Sequence, residues 1–166
     1  MIRWRRTVSE VSSSVSRRPE RFRETPSAVQ IVTADEIQRS GIRSLPEALR
    51  LLPNLQVAQV DARQWAISSR GFNNTIANKL LVLIDGRSVY SPLYAGVFWD
   101  VQDTLLEDVD RIEVIAGPGG TMWGANAVNG VINIISKPAS ETQGVSLTLT
   151  AGGNDRAIAS ARYGGS

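Results

Sequence analysis

A chain of 166 residues with 42% apolar content is long enough for one domain with a buried core. Eighteen Lys and Arg against 16 Asp and Glu leave a net charge of +2, and the basic residues gather between Arg3 and Arg23 rather than along a groove, which argues against a nucleic-acid partner. With no cysteine and no histidine, disulfides, thiol chemistry, the usual zinc sites and a histidine base are excluded, so no cofactor, metal site or catalytic residue is expected.

Met1-Ile-Arg-Trp-Arg-Arg6 is basic but runs into Thr7-Val-Ser-Glu10 instead of an apolar stretch, and so does not read as a secretory signal. Residues 1–25, rich in Ser, Arg and Glu, have too little to bury and read as a flexible arm. Order is expected from Pro26. Ala28 to Val32 reads as a strand, and Thr33 with Glu36 has the spacing of a capping box opening a short helix that Gly41 ends. Ser44 with Glu47 repeats the spacing ahead of a second helix carrying Leu45, Ala48, Leu49 and Leu52, which Pro53 stops.

Leu55 to Val60 and Trp65 to Ser69 read as strands, and the apolar run Leu80 to Ile84 ends in Asp85-Gly86, a tight-turn signal with Arg87 to Tyr90 returning. The stretch from Ser91 to Thr104 has no periodicity and reads as a long loop of functional type. Leu105 to Asp108 has room for one helical turn, Arg111 to Ile115 reads as a strand, and a glycine turn and corner lead into a strand ending near Ile135. Strands interspersed with short helices make the fold class α+β. After Pro138, Val145 to Ala151 alternates apolar and polar residues, Gly152 to Asp155 turns the chain, and Ala157 to Tyr163 alternates more weakly, the dyad pattern of a barrel hairpin. Two strands cannot close a barrel, so the hairpin is expected to be the start of a larger one.

Arg70-Gly-Phe72, Val82-Leu-Ile-Asp-Gly-Arg87, and Arg111-Ile-Glu-Val-Ile115 followed by Gly117-Pro-Gly-Gly120 and Trp123 to Ile135 occur together and in order. With them the chain resembles the plug domain of TonB-dependent outer-membrane receptors. The resemblance implies three regions: an arm over 1–25, a plug over 26–138 built on a small mixed sheet with short helices and long loops, and the start of a β-barrel over 139–166. In that family the plug gates the lumen of a barrel of the roughly 22-stranded type. The implied activity is uptake of a scarce nutrient, by default an iron-siderophore complex. The implied partners are the barrel of the same receptor, the outer membrane, and TonB, driven by the inner-membrane proton-motive complex and docking on an N-terminal segment by strand addition. Thr7-Val-Ser9 and Glu10-Val-Ser-Ser13 are weak candidates for that segment.

The resemblance makes Arg70 a plug contact to barrel-wall carboxylates, a role suited to a guanidinium that demands fixed acceptors. Many relatives read Arg-Gly-Pro where this chain has Ala116-Gly117-Pro118, which removes a second cation. Asn73, Asn74, Tyr90, Tyr94, Phe98 and Trp99 fall on loops resembling the apical ones and are the expected substrate contacts, since aromatics beside amides suit a ligand with polar and apolar faces. An enzyme is disfavoured: Gly117 to Gly120 lacks the following Gly-Lys-Ser/Thr of a phosphate cradle, and Asp85, Asp108, Asp110 and Glu113 form no recognisable catalytic pair. The rival reading is a stand-alone periplasmic plug-like module that binds a ligand or signals without its own barrel. Against it, the alternating stretch after Gly144 would expose an apolar edge prone to pairing.

Overall fold

The structure is a computed structural model and describes residues 28–71, 73–76, 79–118, 120–151 and 157–165. The N-terminal arm with its two TonB-contact candidates, Phe72, and the turn expected at Gly152 to Asp155 lie outside the described residues. The chain divides into two compact units, one through Ser136 and the other from Lys137.

In the first unit, β1 (Ala28–Thr33) leads directly into α1 (Ala34–Ser40), and both halves of the Thr33–Glu36 capping box form. Gly41 ends the helix in the left-handed region at φ 67°, where a side chain would strain the backbone. The second expected box does not form. Ser44 stands at the N-cap of α2 (Leu45–Ala48) without a side-chain cap bond, and Glu47 instead accepts from the backbone N–H of Arg43 at 3.2 Å. Pro46 sits in the first turn, where its missing N–H costs nothing, and a 3-10 turn over Leu49–Leu51 completes the element before Pro53.

β2 (Leu55–Gln59) and β3 (Trp65–Ser69) form a separate antiparallel ribbon. β4 (Leu80–Ile84) turns through Asp85 and Gly86, both at positive φ, into a short β5 (Arg87–Ser88), as a tight hairpin requires. After two 3-10 turns, over Trp99–Val101 and Leu106–Asp108, β6 (Val109–Ala116), α3 (Gly120–Trp123) and β7 (Gly130–Ser136) follow. The sheet order is β1-β6-β7-β4-β5; β4 and β7 are parallel and the other pairs antiparallel.

This sheet is buried on both faces, which is why Leu80 to Ile84 reads as an unbroken apolar run. On one face Ile112, Val114, Ile132, Ile134 and Val82 pack with Ile37 of α1, Leu45 and Leu49 of the α2 region, and Trp65 and Ile67 of the ribbon. On the other, Val29, Ile115, Val131, Leu81 and Leu83 pack with Ala127. Glu113 is fully buried, and Arg111 bridges it, donating to Glu113 at 2.7 Å and to Asp110 at 2.6 Å. Burial alone would lower the Arg111 pKa, but the hydrogen bonds and charges of Glu113 and then Asp110 outweigh it and raise the value.

The second unit is a hairpin of β8 (Gly144–Thr150) and β9 (Ile158–Gly164). Val145 pairs with Tyr163, Leu147 with Ala161 and Leu149 with Ala159, which puts Val145, Leu147, Leu149 and Tyr163 on one face, between 67% and 80% exposed. Ser146, Thr148, Ser160 and Arg162 make up the other.

Candidate functional site

Two ends of β3 carry two different cavities. At its start, Asp61 shapes the β2–β3 connection by accepting from the backbone N–H groups of Arg63 and Gln64, each at 2.8 Å. The loop from Ser91 is more ordered than its sequence implies. Ser91 and Gly96 exchange backbone hydrogen bonds, Ala95 takes φ 51°, and a 3-10 turn over Trp99–Val101 follows. Val97 and Trp99 are buried and anchor the loop in the core, which leaves Tyr94 half-buried and Phe98 exposed. Their rings stack with centroids 4.4 Å apart and 25° between planes, close enough for a favourable aromatic contact.

Arg63 reaches across from the ribbon to Asp100 at 3.2 Å, so an ion pair ties the hairpin tip to the aromatic loop. Arg63, Trp65, Tyr94, Phe98, Trp99 and Asp100 line a cavity of about 500 Å³, within the range of small-molecule sites. The guanidinium of Arg50 lies 5.3 Å from the ring centroid of Trp65, adding a second cation beside the aromatic group.

Asn73 and Asn74 lie elsewhere. With Ser68, Ser69, Lys79 and Asn129 they line a cavity of about 220 Å³ at the far end of β3. Four strand steps separate Trp65 from Ser69, about 13 Å. Of the six residues expected to meet one substrate, Tyr94, Phe98 and Trp99 therefore come together, the two asparagines form part of a different cavity, and Tyr90 lines neither. Trp99 is 7% exposed and serves first as a core residue. Arg63, Trp65 and Asp100 join the aromatic site unforeseen; only the polar stretch Asp61 to Gln64 between two strands marked a turn there.

Arg70 closes the ribbon at φ 60°, followed by Gly71 at φ 91°. It is exposed, its guanidinium approaches Gly117, and it has no ion-pair partner among the described residues. Asp85 is structural: its carboxylate accepts from the backbone N–H of Ser136 at 2.8 Å and from the Ser136 hydroxyl at 3.0 Å, tying the β4–β5 turn to the end of β7. Among the described residues no group of three or more acidic side chains is placed to hold a metal ion.

Comparison with known proteins bears on this arrangement. The vitamin B12 transporter BtuB of Vibrio vulnificus (strain CMCP6) is 32% identical over 131 residues, 78% of this chain and 21% of that protein. BtuB of Vibrio cholerae (O395) is 34% identical over 127 residues, 76% of this chain and 20% of that one. The chain thus spans about a fifth of the curated relatives it matches. Among solved structures, the ferripyoverdine receptor of the Pseudomonas aeruginosa outer membrane shares the fold, with a TM-score of 0.64 at 24% identity over 84% of this chain and 18% of that one. The ferric enterobactin receptor of the same organism gives 0.53 at 28% identity, over 74% of this chain and 19% of that one. The relatives are transporters and receptors. The family model described as TonB-dependent Receptor Plug Domain matches residues 21–131, most of the first unit, and the chain belongs to that family.

Proposed function

We propose that this chain is the gate of an outer-membrane receptor that takes up a scarce nutrient, with TonB and the inner-membrane proton-motive complex supplying the work. The observation that carries the reading is the succession of two units: a plug sheet, then at once a hairpin with an alternating, exposed apolar face. Such a face suits the lipid side of a transmembrane barrel, and the polar face its lumen. In this reading residues 26–138 are the plug, 139–166 begin the barrel, and Arg70, exposed and held at a fixed backbone angle, meets carboxylates of the barrel wall.

The substrate is an iron-siderophore complex, bound where Tyr94 and Phe98 present stacked aromatic surface beside Arg63 and Asp100. A ligand with planar apolar parts and polar edges fits that combination. Trp99 belongs to the core, so Tyr94 and Phe98, which are more accessible, are the better probe of binding. The full-length receptor containing this segment is to be expressed in cells lacking their own siderophore and cobalamin receptors, with and without TonB. TonB-dependent accumulation of a labelled ferric siderophore is expected, and Tyr94→Ala with Phe98→Ala should weaken its binding about tenfold at unchanged receptor levels. Cobalamin uptake alone would keep the gate and remove the siderophore. No TonB-dependent accumulation of either would overturn the reading.

A further inference from the structure

The smaller cavity, at the opposite end of β3 from the aromatic loop, has the chemistry of a binding site of its own. Ser69 is 1% exposed and its hydroxyl has no hydrogen-bond partner among the described residues. It shares a face of β3 with Ile67, which also lines the cavity, since alternate strand residues share a face. Buried hydroxyls are ordinarily satisfied, so an unpartnered one at the wall of a cavity marks a place where a partner belongs.

The surrounding groups specify that partner. Asn129 spends its side-chain N–H on the backbone carbonyl of Ser69 at 3.1 Å, which fixes the strand end as one wall. The Asn74 side-chain oxygen accepts from the backbone N–H of Ile76 and from the Thr75 hydroxyl, leaving its NH₂ donors for other acceptors. Lys79 brings positive charge to the rim, and no Asp or Glu is among the described residues lining the cavity. Hydrogen-bond donors with a cation at the rim favour an acceptor-rich anion. The volume of about 220 Å³ holds roughly seven waters, so the occupant is small.

We propose that this cavity binds a small carboxylate, with the Ser69 hydroxyl and the Asn74 amide donating to its oxygens and Lys79 balancing its charge. The site is separate from the aromatic cavity and does not depend on the substrate assigned there. Loading it would join the stretch around Asn73 and Asn74 to the end of β3.

The test is a ¹⁵N-resolved NMR titration of the 166-residue chain with succinate, with succinamide as the uncharged analogue and sodium chloride matched for ionic strength. Saturable shifts at the Asn73, Asn74 and Asn129 side-chain amides with succinate are expected, and none with succinamide or salt. Ser69→Ala should weaken succinate binding about tenfold, the order expected for losing a hydrogen bond to a charged group. Its melting temperature without ligand should not fall, because the hydroxyl it removes has no partner. Lys79→Gln should weaken binding as well, and Tyr94→Ala should leave it unchanged. Equal shifts with succinate and matched salt, or a Ser69→Ala chain that binds succinate like the parent, would overturn the proposal.

Discussion

Thr33 and Glu36 close a local circuit of hydrogen bonds: the Thr33 backbone N–H and hydroxyl both donate to the Glu36 carboxylate at 2.8 Å, and the Glu36 N–H returns to the hydroxyl. The Thr33 backbone, then its side chain, hold the Glu36 carboxyl below its ordinary value of 4.5. A depressed folded-state pKa contributes stability that is fully present above the ordinary value and lost as pH falls through the lower one. Glu36→Gln should therefore melt below the parent at pH 7, with the gap closing as pH falls below the ordinary value of 4.5 and through the depressed one, whereas Thr33→Ala should cost about 1 kcal/mol at neutral pH through the lost cap. Thermal scans across that range read both. This circuit was legible because its partners are three residues apart. The same spacing at Ser44 and Glu47 misled, since in a four-residue helix the carboxylate found the N–H of Arg43 instead. The Arg63–Asp100 pair spans 37 residues and leaves no trace in local pattern.

Strands announce themselves by apolar runs and by alternation, so every strand over the described residues stood close to its expected place, as did the Asp85-Gly86 turn. Which loops meet is a different matter. Whether the stretch after Arg70 joins the aromatic loop depends on the direction in which β3 runs, and period-2 alternation is the same read either way. That is why Asn73 and Asn74 were grouped with Tyr94 and Phe98, from which the length of a strand divides them. For the β8–β9 hairpin the alternation was sufficient, because both strands are neighbours in sequence and the register follows from their pairing. Its apolar face should drive this chain to self-associate in water. Leu147→Asp should shift sedimentation velocity profiles toward monomer while leaving the melting temperature of the sheet within about 1 °C, since Leu147 lies in the other unit. Unchanged self-association would show that a different surface is responsible.

At the scale of the whole molecule, β7 holds the first unit together. It lies between β6 and β4, and its buried residues join both core clusters: Ile132 and Ile134 face one, Val131 the other. At its first residue, a Cβ on Gly130 would come within 2.5 Å of the Ile115 carbonyl oxygen, so only glycine permits the strands to close there. A chain cut before Gly130 should lack cooperative unfolding by circular dichroism in urea, and one cut after Ser136 should retain it; folding of the shorter chain would disprove the central role of β7. The pairing of Leu80 with Gly130 joins residues 50 positions apart, a long loop to close before any contact rewards it. During synthesis, then, β1 with β6 and β4 with β5 emerge as two ribbons whose facing edges stay open until the last strand of the unit arrives. Only the stretch 137–143 lies between that strand and β8. The sheet can therefore close only when the hairpin is about to emerge, so the open ribbon edges and the apolar hairpin face are exposed in succession and not together.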